Sequence, residues 1–259
     1  LTQEASRTLL NLTAFKNNFT PIADIVTEKS FVNAIVGLMA TGGSTNHTIH
    51  LIAMARAAGI ILNWDDFNMI SKVTPLLCKL YPNGSADVNH FRDAGGMSVV
   101  IHELINAGLV HEDVNTVVGF GLKNYIVEPS LKDNVLTFNK GATVSRDKDI
   151  ISSVAAPFSK EGGITLLEGN LGRSIIKTSA LKEEHLYVKA PAMVFSTQDE
   201  LKDAFKKGLL NKDFVAVVKY QGPKANGMPE LHGLLPSLGV LQEKGYKVEY
   251  VGYDSPLNF

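Results

Sequence analysis

From Glu28 to Ala40, apolar residues stand at 31, 32, 35, 36, 38 and 39, a helical spacing. The glycine pair Gly42-Gly43 ends that run, because glycine is a poor helix-interior residue. A second helix is predicted from Ser44 or Thr45 to Ala58, with Gly59 at its C-cap. Thr2 to Ala14 also has helical spacing, broken by Asn17, Asn18 and Pro21. Trp64 to Lys72 reads as one or two further turns that stop before Pro75. Pro75 to Leu80 is a short apolar run, either a strand or a buried extended segment. Tyr81-Pro82-Asn83-Gly84 is a turn. Gly96 to Ala107 is another amphipathic helix, closed by Gly108.

After Val127 the texture changes. Residues 128 to 162 hold Pro129, Gly141, Pro157 and Gly162 in mixed polar sequence, and they read as a crossing between two domains. Strand-like runs follow at Ile164 to Leu167, Ser174 to Thr178, Leu186 to Val188, Phe214 to Lys219 and Lys247 to Val251. Helical patterns lie at Asp199 to Lys207 and Pro229 to Lys244. The pattern shows no internal repeat.

Composition narrows the function classes. Of the 259 residues, 45% are hydrophobic and 20% charged, ordinary for a globular protein that can bury its own core. With 25 basic and 26 acidic residues the net charge is -1, which recommends neither nucleic acid nor an anionic membrane as a partner. No apolar run reaches the ~20 residues that span a bilayer. Leu1 to Arg7 lacks the charged and apolar regions of a signal peptide, and the chain begins with Leu, which hints at a fragment or a processed product. A single cysteine, Cys78, excludes an internal disulfide and an all-cysteine metal site made by these residues alone. A reducing, cytoplasmic compartment is the expectation.

Several short motifs carry candidate chemistry. Thr41 to His47 joins two predicted helices: its glycines allow close backbone approach, and Ser44, Thr45 and Asn46 add donors at a helix N-terminus. That suits a phosphate or carboxylate, and it equally suits a plain connection with a Ser or Thr N-cap. There is no Gly-Lys-Ser/Thr, so this is not a P-loop. His47 and His50 share a helix face, where packing or capping competes with metal ligation. His102-Glu103 begins like a zinc-protease helix, but Asn106 stands where the second histidine belongs. Asp87-Val88-Asn89-His90 packs an acid, an amide and an imidazole beside a turn; it can orient a polyhydroxylated substrate or merely cap a helix. Gln221 to Glu230 is a Gly/Pro loop after an apolar strand, a common place for a ligand site and also an ordinary strand–helix connection.

Taken in order, these motifs resemble one family. Thr41-Gly42-Gly43-Ser44-Thr45-Asn46, Ala94-Gly95-Gly96, Glu168-Gly169-Asn170-Leu171-Gly172 and Gly227-Met228-Pro229-Glu230 together resemble the dihydroxy-acid/phosphogluconate dehydratase superfamily. Tyr81 to Gly84, Asp87 to Phe91, His47, His111 to Val114 and Gly222 to Gly227 resemble its phosphogluconate branch. The resemblance covers residues 1 to 248.

The resemblance implies an α/β fold: a helix-rich part of a three-layer α/β domain over residues 1 to 150, then part of a β-rich swivelling domain over 160 to 259. It implies a hydro-lyase that removes water across C2 and C3 of a phosphorylated sugar acid. An iron–sulfur cluster would bind the C3 hydroxyl through ligands outside this chain, and a divalent ion, Mg²⁺ foremost, would hold the carboxylate with Glu230 as a ligand. Candidate substrate contacts are Gly43, Ser44, Thr45, Asn46, Asp87, Asn89 and His90, with Asn170, Arg173 and Lys177 facing the sugar or its phosphate. A homodimer is implied. The family's cluster cysteines are absent, and Cys78 is expected to be a buried, inert thiol. The Asp-Gly-Arg-Met-Ser-Gly segment with the catalytic serine, expected after Val251, is replaced by Gly252 to Phe259. The chain alone is therefore expected to be inactive. The alternatives are a non-catalytic paralogue or fragment that binds sugar-acid phosphates, and part of a branched-chain dihydroxy-acid dehydratase.

Overall fold

A computed structural model describes residues 1–253 except Asn134, Leu171, Ala180, residues 182–186, Pro223, Lys224, Asn226 and residues 228–230, and except the side chains of His232, Val251 and Tyr253. It is an α/β structure of helices and small sheets, and it divides into two units, Leu1–Ala180 and Leu181–Phe259.

The first unit is organised around one helix. After α1 (Thr2–Leu9) and the short α2 (Ile22–Ile25) comes α3 (Glu28–Thr41), capped by Thr27, whose side chain accepts from the Ser30 N–H. α3 is apolar on more than one face because it serves two cores. Val36 and Ala40 pack with Leu77, Cys78, Val99, Val100, Leu104 and Ile151. Ile35, Leu38 and Met39 pack with Phe67 and Ile164. Around it lie α4 (Asn46–Ala57), α5 (Trp64–Val73), α6 (Val88–Ala94) and α7 (Gly96–Asn106). α5 begins in a capping box between Asn63 and Asp66. α4, α5 and α7 stand where the periodicity places them, and α6 is the helix that Asp87 was expected to cap in the alternative reading of its cluster.

Pro75 to Leu80 resolves as the buried extended segment. The N–H groups of Leu77 and Cys78 both reach the Ala40 carbonyl, at 2.7 and 3.2 Å, so an otherwise unpaired helix-end acceptor is satisfied. On its other side the segment pairs with residues 150–159: Lys79 N–H donates to Ile150, Ser152 N–H to Leu77 and Leu76 N–H to Ser159. Part of the stretch read as a crossing is therefore packed into the first unit.

Three hairpins complete that unit. β1 (Asn115–Thr116) pairs β2 (Gly119–Phe120), and β3 (Val127–Lys132) pairs β4 (Val135–Lys140). The second of these also lies inside the expected crossing. β5 (Ile164–Gly169) and β6 (Gly172–Lys177) are antiparallel, with Ile164 opposite Lys177 and Glu168 opposite Arg173. Residues 164, 166 and 168 therefore share a face with 177, 175 and 173. Ile164 and Ile175 on that face pack against the Phe67 core.

The second unit is a parallel three-stranded sheet, β7 (Ala192–Phe195), β8 (Phe214–Lys219) and β9 (Val248–Tyr253), with β8 central. α8 (Gln198–Lys206) connects the first two strands, and α9 (Leu235–Glu243) precedes the third. Phe214, Ala216 and Val218 of β8 are buried among Phe195, Leu201, Leu210, Leu234, Leu238 and Leu241. The near-continuous apolar run of β8 is what a central parallel strand requires. Of the helix expected from Pro229 to Lys244, Pro229 and Glu230 lie outside the described residues; a 3₁₀ turn, Leu231–Leu234, leads into α9, where Pro236 occupies the first turn. Tyr187 and Val188 form no strand, and Leu186 lies outside the described residues. β7 has no counterpart in the sequence reading.

Candidate functional site: the glycine loop and its cation

α3 ends at Gly42 in the left-handed conformation, φ 61°. Gly43 N–H then returns to the Leu38 carbonyl at 3.0 Å, and the chain turns into α4. Gly42 is buried as well as left-handed: a Cβ there would lie 2.1 Å from Asn83 Nδ2 and 2.9 Å from Leu76 Cδ1. The close approach leaves the Gly42 carbonyl open to side chains from two other elements. Asn83 Nδ2 donates to it at 2.9 Å, and Lys177 Nζ donates at 2.7 Å. Ser179 donates its hydroxyl to Asn83 Oδ1 at 3.2 Å. The helix connection, the turn at 81–84 and the C-terminal end of β6 thus meet at one carbonyl oxygen.

Beyond Gly42 the loop presents its polar residues in order. Ser44 is exposed and accepts from Asn46 N–H through its hydroxyl at 3.2 Å. Thr45 holds the N-cap position of α4 with helical backbone angles and no side-chain capping bond. Its carbonyl takes the Thr48 hydroxyl at 2.6 Å. The expected Ser/Thr cap is therefore made one residue early, by Ser44.

The electrostatics single out Lys177. Its ammonium is half-buried, and burial pushes its pKa below the ordinary lysine value. Among the described residues no carboxylate pairs with it. Its one described partner is the Gly42 carbonyl, so an ammonium with three donors has donors in reserve.

The remaining predicted site residues have other geometry. Asp87 is the N-cap of α6: its Oδ1 accepts from the N–H of Asn89 at 2.8 Å and of His90 at 3.0 Å. His90 Nδ1 accepts the Asp87 N–H at 3.2 Å, closing a reciprocal capping box. The His90 backbone bond, first among several, holds the Asp87 carboxyl below its usual range. Asp87, Asn89 and His90 are all exposed, and the described bonds of Asp87 and His90 are local. Asn170 is exposed at the tip of the β5–β6 hairpin. Arg173 contacts Asp65 on α5 and Glu168 across the hairpin, the latter at 2.9 Å. The Asp65 bond, more than the Glu168 charge, holds its guanidinium above its ordinary pKa. Glu230 lies outside the described residues, as do Met228 and Pro229.

Cys78 does not fit a cluster site. It is fully buried between Leu77 and the α3–α7 core, and burial pushes its thiol up to about 12, whereas a metal-bound cysteine is a thiolate. Among the described residues no three histidine, cysteine, aspartate or glutamate side chains gather to hold a metal ion. No described helix is long and apolar enough to cross a membrane.

Sequence reading did not single out Asn83 or Ser179. Asn83 was legible as a turn residue within a family motif, not as a site residue, and its bonds to Gly42 and Ser179 span 41 and 96 residues of chain. Lys177 reaches 135 residues back to Gly42. Only folding brings these groups together.

Residues 1–125 match the family model described as dihydroxy-acid/6-phosphogluconate dehydratase N-terminal, and residues 149–252 match the C-terminal counterpart. The chain is 54% identical over 251 residues to the phosphogluconate dehydratase of Escherichia coli (strain K12), covering 97% of this chain and 42% of that protein. The phosphogluconate dehydratase of Zymomonas mobilis is 51% identical over 251 residues, again 97% of this chain and 41% of the relative. A dihydroxy-acid dehydratase of Caldanaerobacter subterraneus is 39% identical over 234 residues, 89% of this chain and 39% of the relative. The chain thus spans about two fifths of the length of the curated relatives it matches. With both family models accounting for most of its residues, the chain belongs to the dihydroxy-acid/6-phosphogluconate dehydratase family.

Proposed function

We propose that these residues serve the dehydration of 6-phospho-D-gluconate to 2-dehydro-3-deoxy-6-phosphogluconate. The observation that carries this reading is the identity contrast: 51–54% with relatives named phosphogluconate dehydratase against 39% with one named dihydroxy-acid dehydratase. In the reaction the C2–H and C3–O bonds break and water leaves. The resulting enol then takes a proton at C3 as its C2 hydroxyl becomes a ketone.

The part these residues play is substrate binding. The Gly43 to Asn46 loop offers backbone and hydroxyl donors, and Lys177 brings positive charge to the same loop. Asp87, Asn89, His90 and Asn170 are the further proposed contacts, while Arg173, paired with Asp65 and Glu168, is proposed to brace the hairpin rather than to touch the substrate. The cluster cysteines are assigned outside this chain, in keeping with the sequestered Cys78, and Glu230 is assigned to Mg²⁺. The same reading places residues 1–150 in a larger three-layer domain and residues 160–259 in a smaller swivelling one. It also places the protein in the cytoplasm as a homodimer.

The sequestered thiol favours a second statement: the 259 residues by themselves bind the sugar-acid phosphate without turning it over. One assay addresses both. The polypeptide expressed from its complete coding sequence, with iron and sulfide restored anaerobically, is given 6-phosphogluconate or a branched-chain dihydroxy acid. Formation of the 2-keto-3-deoxy acid from the phosphorylated substrate is expected. Preference for the branched-chain substrate would overturn the reading, and turnover by residues 1–259 alone would overturn the second statement.

A further inference from the structure

Resting on the substrate reading above, we propose that Lys177 receives an anionic group of the sugar acid, and that Asn83 and Ser179 are the positioning residues that aim it. Three observations meet here. First, Lys177 is half-buried yet has no carboxylate partner among the described residues, while Arg173 on the same strand face has two. A desolvated ammonium with unused donors is stabilised by any anion that reaches it. Second, its position is fixed at the glycine loop, because Lys177 Nζ and Asn83 Nδ2 share the Gly42 carbonyl. Third, Asn83 is itself oriented. Its Oδ1 accepts from Ser179, two residues beyond Lys177, so its amide nitrogen must face Gly42. The amide oxygen is thereby turned to Ser179 and the donor end toward the loop. Asn83 holds the loop without competing for the ammonium.

That orientation makes a sharp test. N83D is nearly isosteric, but it sets a carboxylate oxygen at the carbonyl that Lys177 shares, where it acts as a built-in counter-ion. The variants K177M, K177R, N83D and S179A are made in the complete polypeptide and assayed with 6-phosphogluconate. Glucose 6-phosphate and D-gluconate serve as inhibitors that carry only the phosphate or only the carboxylate.

K177M is expected to raise KM about 10- to 100-fold, the loss of one charged hydrogen bond, with kcat at saturation little changed. K177R should recover most of that loss, N83D should resemble K177M, and S179A should show a smaller KM effect. The inhibitor whose inhibition disappears in K177M identifies the group that Lys177 holds. Wild-type affinity should fall as the ammonium deprotonates at high pH, and that limb should be missing in K177M.

Folded K177M and N83D proteins whose KM and inhibition constants stay within about threefold of wild type would overturn the assignment. Should K177M not fold, K177R and N83D decide. The two readings fail separately. If the wild-type protein prefers a branched-chain dihydroxy acid, the substrate proposal falls, and KM for that acid in K177M still decides whether Lys177 holds its carboxylate.

Discussion

Arg173 and Lys177 lie four residues apart on one face of β6, and their surroundings differ at every level. Arg173 stands near the hairpin tip, exposed, with Asp65 and Glu168 as partners. Lys177 stands at the strand's other end, half-buried, where the descending chain meets α3 and the turn at 81–84; its described partner is a backbone carbonyl. Between them Ile175 anchors the strand on the Phe67 core. The pair teaches that two cations equally plausible as phosphate contacts in the sequence separate once their neighbours are known. A surface charge with a carboxylate on each side is already compensated, and a partly desolvated one without any is not.

The glycines at the two ends break this comparison most forcefully. At the Lys177 end, G42A must hold a Cβ at φ 61° against Asn83 Nδ2 and Leu76 Cδ1. The left-handed backbone costs ~1–2 kcal/mol, and the displaced Asn83 hydrogen bond ~1 more. A drop in melting midpoint of about 5–10 °C is expected, together with the loss of Lys177's anchor. At the Arg173 end, a Cβ on Gly169 meets nothing within 4 Å, so G169A should change stability by less than ~0.5 kcal/mol. Differential scanning of both variants checks this. Equal midpoints would mean the glycine loop is not the rigid end.

The floor beneath the Lys177 end gives the next effect. Cys78 N–H bonds the Ala40 carbonyl two residues before Gly42, and its thiol is raised from near 9 to about 12 by burial. Between those values the unfolded chain has lost the thiol proton and the folded chain retains it. Stability must therefore fall as pH rises above about 9, by ~1.4 kcal/mol per pH unit from this group. C78A removes that component, so the wild-type advantage in urea midpoint should shrink from pH 8 to pH 10. A difference independent of pH would show that the thiol titrates normally. Lys177 has the opposite sign. Its folded pKa is depressed below the unfolded value, so the unfolded state binds the extra proton there, and stability from this group rises with pH through that window.

The helical framework was legible because its signals are local. Gly42 stops α3, and α3 carries its two apolar faces in one short run. The β8 strand was legible for the same reason. The β3–β4 hairpin was not, because most of its side chains are exposed and Pro129 interrupts the pattern. Nor was β7, a four-residue strand that depends on β8 for its pairing. At the candidate site, the loop's glycines and hydroxyls could be read directly. The Asp87 to His90 cluster could be read as chemistry or as capping, and the structure shows the capping bonds. Which cation serves the loop was not legible, because the answer depends on Asp65, 108 residues from Arg173, and on Asn83.

The smallest expected effect is at Arg173, and it sharpens the comparison because it is small. The guanidinium and both of its carboxylate partners are exposed, so their attraction is screened by salt, and the cost of ordering three side chains offsets much of what remains. R173M should leave the unfolding midpoint unchanged in about 0.5 M NaCl and lower it slightly at low salt, where the screening length is longer. D65N should behave the same way, since Glu168 remains across the hairpin to hold Arg173. Affinity for 6-phosphogluconate should stay within about twofold in both variants, as expected when a compensated surface charge is removed. A tenfold loss of affinity in R173M alone would mean that the substrate draws the guanidinium away from its carboxylates. Arg173 would then join Lys177 as an anion contact, and neighbouring charge would no longer distinguish the two ends of the strand.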